Sequence, residues 1–101
     1  MKFEMKRKLD NLGRIALPLD LWEYYGIKSG ESAILLPARK GIQIAPSEYF
    51  IMDQVSDDSI ITVDEFGRCE IPIVLKNQYH FEPEDTLRIL PEETCILIYK
   101  G

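Results

Sequence analysis

The sequence predicts a mainly β protein with two short helices, in which two pseudo-symmetric repeats close together into one small β-barrel. The first observation is an internal repeat, since residues 10–46 align with residues 64–100 at a constant shift of 54 and without a gap. The second is size, because a unit of roughly 40 residues cannot bury its apolar faces alone. Two units that close on each other also remove exposed strand edges.

Identity at the repeat positions exceeds chance. Ten of the 37 aligned positions are identical, whereas ordinary residue usage gives roughly two. The identical pairs are Asp10/Asp64, Gly13/Gly67, Arg14/Arg68, Pro18/Pro72, Leu21/Leu75, Tyr25/Tyr79, Leu36/Leu90, Pro37/Pro91, Ile42/Ile96 and Ile44/Ile98.

Each repeat begins with two strands joined by a glycine turn. The stretches "MKRKLDNLGRIAL" and "IITVDEFGRCEI" alternate polar and apolar residues around turns at Asp10–Gly13 and Asp64–Gly67, a pattern typical of hairpins. The glycine that ends each turn suits a positive φ, which costs glycine little. Pro18 and Pro72 then end strand pairing and favour the first turn of a helix.

A short helix and a hairpin complete each repeat. The first helix is predicted over Leu19–Tyr25, with Gly26 as its C-terminal cap. The second is predicted near Ile73–Tyr79, and because His80 replaces that glycine we expect its end to be capped differently. The segments "SAILL", "IQIAP", "TLRIL" and "ILIYK" predict the hairpin strands. Residues 1–46 therefore form the first repeat, 47–59 a linker and 60–101 the second repeat of one joint barrel.

Composition excludes several classes of protein. The apolar fraction of 46% is that of a globular protein. No apolar run approaches the roughly 20 residues of a membrane span, and the N-terminus lacks the apolar core of a signal peptide, so a soluble cytoplasmic protein is expected. Cys69 and Cys95 are interpreted as reduced strand residues. Metal-ligand spacings, nucleophile–base pairs and phosphate loops are absent from the sequence, which predicts no metal, no cofactor and no enzyme.

Charge is divided unevenly along the chain. The net charge is −5, yet residues 1–50 hold 8 basic and 6 acidic side chains, while residues 51–101 hold 4 and 11. Phosphate affinity depends on local cation density. If the protein binds nucleic acid, it would therefore do so through the N-terminal cations. If it does not, these cations are interpreted as a solvated strand edge.

The segment "RKLDNLGRIALPLDLWEYYGIKSGESAILLPARKGIQI", Arg7–Ile44, resembles the AbrB/MazE/SpoVT-type swapped-hairpin DNA-binding domain. The resemblance lies in a basic strand, Asp-x-x-Gly-Arg, a short apolar strand ending in proline, a short helix and a hairpin. The second repeat resembles it more loosely, and tandem copies in one chain resemble the MraZ arrangement. This implies an AbrB-like barrel of exchanged hairpins and a prokaryotic DNA-binding transcription regulator that acts on double-stranded DNA.

The resemblance also implies which residues meet DNA. The positions of DNA contact in the family fall on Arg7, Arg14 and Arg68, and Lys6 and Lys8 would add phosphate contacts. Several family members place a basic pair on the short helix; here the equivalent positions hold Trp22 and Glu23 in the first repeat and Lys76 and Asn77 in the second. The expected nucleic-acid-binding residues are Lys6, Arg7, Lys8, Arg14, Arg68 and Lys76.

Two alternatives remain open at the level of sequence, and the two repeats are also expected to differ in DNA binding. Arg14 and Arg68 are also suited to structural ion pairs with Asp10 and Asp64, a role compatible with DNA contact. Since Glu65 and Glu70 flank Arg68, the first repeat is the better DNA binder, and weak binding by one barrel favours homo-oligomers. The second alternative is an antitoxin-like or other protein-interaction module on the same barrel, whose acidic second repeat meets a toxin or regulator.

Overall fold

The computed structural model describes residues 4–49 and 59–100. It confirms a mainly β protein with two short helices. Apart from one 3₁₀ turn and Ser59, the predicted linker lies outside the described residues. In chain order the elements are β1 (Met5–Lys8), β2 (Arg14–Ala16), α1 (Leu19–Tyr24), β3 (Ser32–Pro37), β4 (Gly41–Pro46), the 3₁₀ turn (Ser47–Tyr49), β5 (Ile60–Thr62), β6 (Arg68–Glu70), α2 (Ile73–Gln78), β7 (Thr86–Pro91) and β8 (Ile96–Tyr99).

The strands form an open sheet and a separate ribbon. Six strands pair in the order β1-β7-β8-β4-β3-β5, and β2 pairs only with β6. The predicted closed barrel is therefore wrong, because β1 and β5 are free edges of the sheet among the described strands. The ribbon does not close the sheet, because its two strands pair with each other and with no strand of the sheet.

The two repeats are interlocked. β1 of the first repeat pairs with β7 of the second, and β5 of the second pairs with β3 of the first. The same exchange continues beyond the strands, where the N–H of Leu9 donates to the carbonyl of Asp85 (2.9 Å) and the N–H of Val63 donates to that of Glu31 (3.1 Å). Each repeat therefore completes its hairpin with a strand from the other.

One hydrophobic core serves both repeats. It lies between the six-stranded sheet, the ribbon and the helices, and burial of this apolar surface is the main stabilising contribution. Ile15 and Cys69 enter it from the ribbon, and Trp22 and Leu75 from the helices. The sheet contributes Ala33, Leu35, Ile42, Ile44, Ile61, Leu87, Ile89, Ile96 and Ile98.

The repeated tyrosines have matching structural roles. The hydroxyl of Tyr25 donates to the carbonyl of Glu92 (2.5 Å), and the hydroxyl of Tyr79 donates to that of Ala38 (2.7 Å). Ala38 and Glu92 occupy equivalent positions at the tips of the two hairpins. Each helix therefore holds the hairpin of the other repeat, which explains why both tyrosines are present.

The helices end in the same way despite their different sequences. Pro18 and Pro72 are the N-cap residues, and Gly26 and His80 both have a positive φ at the other end (75° and 59°). The expectation that the second helix is capped differently is wrong. Phe81 follows His80 directly and is buried in the core, and this packing imposes a left-handed conformation that histidine ordinarily avoids.

Candidate nucleic-acid interface

Each glycine turn is organised by its aspartate. The N–H groups of Leu12 (2.9 Å) and Arg14 (2.8 Å) donate to Asp10 Oδ1, and Arg14 Nε donates to Oδ2 (2.8 Å). The second turn repeats this pattern around Asp64, where Arg68 Nε donates to Oδ2 (2.7 Å). The structural ion pairs left open by the sequence are therefore present in both repeats.

The same contacts set the ionisation of the two aspartates. Partial burial acts to raise the pKa of Asp10, but hydrogen bonds from the Arg14 backbone and guanidinium outweigh it and hold this pKa below its ordinary value. The same causes, with Arg68 as the donor, lower the pKa of Asp64. Both carboxylates consequently remain ionised at neutral pH and fix the orientation of the arginines beside them.

Arg14 and Arg68 lie on the outer face of the ribbon. Arg14 is opposite Glu70, and Arg68 is opposite Ala16, in an antiparallel register centred on Ile15 and Cys69. Since Ile15 and Cys69 are buried, alternation turns the arginines outward. Strand geometry places their Cα atoms on a diagonal of about 8 Å. Their side chains are 31% and 34% exposed.

The turns are supported crosswise by the opposite repeat. The N–H of Leu17 donates to the carbonyl of Gly67 (2.9 Å), and the N–H of Ile71 donates to that of Gly13 (3.0 Å). Trp22 Nε1 adds a second donor to the Gly67 carbonyl (2.9 Å). The two arginine turns are therefore held in one rigid unit around the pseudo-two-fold axis.

Lys76 is the equivalent of Trp22 and lies on the first turn. Its ammonium group is so close to Gly13 that a Cβ there would collide with it. A cavity of about 270 Å³ lies between this turn and α2. It is lined by Leu9, Asn11, Leu12, Gly13, Ile73, Lys76, Asn77, Phe81, Glu82 and Pro83. Lys76 of the second repeat therefore brings a cation to the arginine turn of the first.

Exposed apolar side chains flank the arginines. Leu12 and Phe66 occupy equivalent positions on the two turns and are 60% and 64% exposed. The first turns of the helices add Leu19, Ile73 and Val74, which are also exposed. Phe66 lies under the guanidinium of Arg68, at 4.9 Å from the ring centroid. This apolar rim was not predicted from the sequence, although the equivalence of Leu12 and Phe66 in the repeat indicates it.

The N-terminal cations lie on the sheet and not on the ribbon. Lys6 and Lys8 pair with Arg88 and Thr86 across the edge strand β1, and both are exposed. Arg7 alternates to the other side of β1, is half-buried, and donates to the carbonyl of Lys6 (2.9 Å). The six expected residues therefore separate into a ribbon group (Arg14, Arg68 and Lys76) and an edge-strand group (Lys6, Arg7 and Lys8).

An outer-face cluster anchors the edge strand. Glu4 accepts hydrogen bonds from the Tyr99 hydroxyl and from Arg88 Nη1, the latter at 2.7 Å. These contacts, the tyrosine first, lower the pKa of Glu4. Lys40 Nζ lies 4.1 Å from the centroid of the Tyr99 ring. Arg88 is thus engaged with Glu4 beside the edge-strand cations.

Neither cysteine has the environment of a reactive thiol. Cys69 is buried in the ribbon, and burial raises its pKa to about 12. Burial and the neighbouring Glu92 raise the pKa of Cys95 to about 11. Both are free thiols and protonated at neutral pH.

Within residues 4–49 and 59–100, no three histidine, cysteine or carboxylate side chains are grouped so as to hold a metal ion. Neither helix found there is long and apolar enough to cross a membrane.

No family model matches the sequence. No curated protein matches it either.

Proposed function

We propose that this chain is a DNA-binding transcriptional regulator of AbrB/SpoVT type whose β2–β6 ribbon meets the major groove of DNA. The observation that carries the proposal is the pair of outward arginines, Arg14 and Arg68, on opposite strands of one ribbon. The major groove admits a two-stranded ribbon, and arginine forks onto guanine O6 and N7. Two arginines related by a pseudo-two-fold axis face neighbouring base pairs of one site.

The ion pairs favour this role because they orient the arginines beforehand. Each aspartate accepts a hydrogen bond from the Nε–H of its arginine. Among residues 4–49 and 59–100, the Nη groups of Arg14 and Arg68 have no hydrogen-bond partner in the protein. Those groups remain for base contact, and little side-chain entropy is lost when they bind.

The topology supports membership of the swapped-hairpin family. In that family two copies exchange hairpins to build one unit, and here the first strand of each repeat pairs with the hairpin of the other. Arg7, on the side of β1 that faces the core and the ribbon, would contact phosphate where DNA extends beyond the ribbon, whereas Lys6 and Lys8 lie on the outer side of the sheet. A homo-oligomer would present several ribbons at once and raise the avidity.

The test is binding of fluorescent genomic duplex fragments across a salt series. The proposal expects log K to fall steeply with log salt, since each phosphate contact contributes roughly −0.9 to the slope. Arg14→Ala should weaken binding at least about tenfold, as for loss of a bidentate guanine contact. Lys28→Ala is the matched control, because it removes an exposed cation from outside the six expected residues. Absence of binding by the wild-type protein at low salt contradicts the proposal.

The exposed apolar rim favours a second candidate, a protein-interaction module on the same face. Leu12, Phe66 and the first turns of both helices offer an apolar surface around two arginines, and apolar patches rimmed by charge mark protein interfaces. The partner would be a toxin or a regulator. Binding that survives high salt and is lost in a Leu12→Ser/Phe66→Ser variant would identify this function in place of DNA binding.

A further inference from the structure

The cavity at the first turn is built by both repeats. Asn11 and Gly13 come from the first repeat, and Lys76 and Asn77 come from α2 of the second. Three residues with hydrogen-bond donors in their side chains, one of them a lysine and two of them asparagines, therefore line a space of about 270 Å³. Ammonium and amide N–H groups are the donors that hold phosphate oxygens.

The equivalent positions at the second turn have lost these donors. At a shift of 54 residues, Asn11 corresponds to Glu65, Lys76 to Trp22 and Asn77 to Glu23. Trp22 is 1% exposed and donates its N–H to the Gly67 carbonyl. The indole therefore occupies at the second turn the position that Lys76 has at the first, and it fills the space there. Two carboxylates and a buried indole cannot bind an anion.

We propose that the cavity at the first turn is a phosphate-binding subsite, and that the second turn has no counterpart. Its ligand is a phosphate monoester or diester group held by Lys76, Asn11 and Asn77. The apolar wall formed by Ile73 and Phe81 suits the sugar attached to it. This deepens the proposed DNA-binding function and rests on it where the phosphate belongs to a DNA backbone.

Because only the first turn has this subsite, bound DNA would have one preferred orientation on the ribbon. Arg14 follows Gly13 directly, so the subsite and the first arginine are neighbours on one turn. DNA gripped there is bound at one end of the ribbon more tightly than at the other. The lining also includes the carboxylate of Glu82, which repels phosphate and weakens the site.

The test follows backbone and side-chain amide NMR signals during two titrations of the full chain. One uses inorganic phosphate against chloride at equal ionic strength, and the other uses a 20-base-pair duplex. The proposal expects both ligands to shift the signals of Asn11, Gly13 and Asn77, with smaller shifts at Glu65 and Gly67. Lys76→Met should weaken phosphate binding at least about fivefold and lower the salt slope of duplex binding by about 1.

Three variants make the result interpretable. Lys76→Arg keeps the charge and should retain binding, Glu82→Gln should tighten it several-fold, and Lys28→Met should leave it unchanged. Phosphate binding without any duplex binding supports the subsite for a free phosphorylated ligand and overturns the DNA-binding function. Duplex binding whose salt slope is the same in Lys76→Met overturns the subsite alone. Absence of any shift at the first turn with either ligand overturns it as well.

Discussion

The two arginine turns share their backbone contacts and differ in the side chains that cover them. Both have an aspartate, a glycine with positive φ, an arginine ion pair and a crosswise N–H donor. A buried indole covers the second turn, and a lysine covers the first. The residues that the two repeats share maintain a pseudo-symmetric fold. The residues that differ change the charge and the exposed groups around each turn.

The largest expected difference between the two turns appears when each covering side chain is replaced by alanine in a separate variant. Trp22→Ala should lower the free energy of unfolding by about 4 kcal/mol, because it opens a core cavity and removes the donor to the Gly67 carbonyl. Lys76→Ala should cost less than about 0.5 kcal/mol, since its side chain is only half-buried. Urea unfolding measures both.

Trp22→Phe serves as the control for cavity formation. It keeps most of the apolar volume, so its cost should be about 1–2 kcal/mol from the lost hydrogen bond. Equal costs for Trp22→Ala and Lys76→Ala would show that the indole is not the structural cover of the second turn.

The glycines of the two turns offer a second comparison. Gly67→Ala should destabilise the protein by about 3 kcal/mol, because the new Cβ meets the backbone carbonyl of Leu17, which cannot move. At Gly13 the obstacle is the flexible end of Lys76, so Gly13→Ala should cost only the strain of a positive φ, about 1–2 kcal/mol.

Thermal unfolding of the two alanine variants distinguishes these costs. The double variant Gly13→Ala/Lys76→Ala should be no less stable than Gly13→Ala alone, because the obstacle has been removed. A greater loss in Gly13→Ala than in Gly67→Ala would contradict the difference between the two covers.

The smallest effect concerns the ends of the helices. Gly26 and His80 share a left-handed conformation, which costs a residue with a Cβ about 1–2 kcal/mol. His80→Gly should therefore stabilise the protein by about 0.5–1 kcal/mol after allowance for the greater freedom of glycine in the unfolded chain. A less stable His80→Gly variant would mean that the histidine makes contacts that outweigh the strain.

Local features of this fold were predictable from the sequence. Alternation, the glycine turns and the prolines located the strands and both helices, and the spacing of Asp10 and Arg14 anticipated their ion pair. The strands, the helices and this ion pair depend on residues that are close together in the chain, and their spacing can be read from the sequence.

Long-range features were not predictable from local patterns. Alternation in β1 indicates which of its residues face the core but does not specify β7 as its partner. The same limit applies to Lys76, whose place on the opposite turn follows from the exchange of strands. His80 was misjudged because tertiary packing overrides the residue's own conformational preference.

DNA binding by the β2–β6 ribbon is tested most directly by following the chain's amide NMR signals during titration with the tightest-binding genomic duplex. The amides of β2, β6 and both glycine turns should shift, most strongly between Asp10 and Arg14, with smaller shifts along β1. Shifts confined to the outer face of the six-stranded sheet around Tyr99, or none at all, would contradict it.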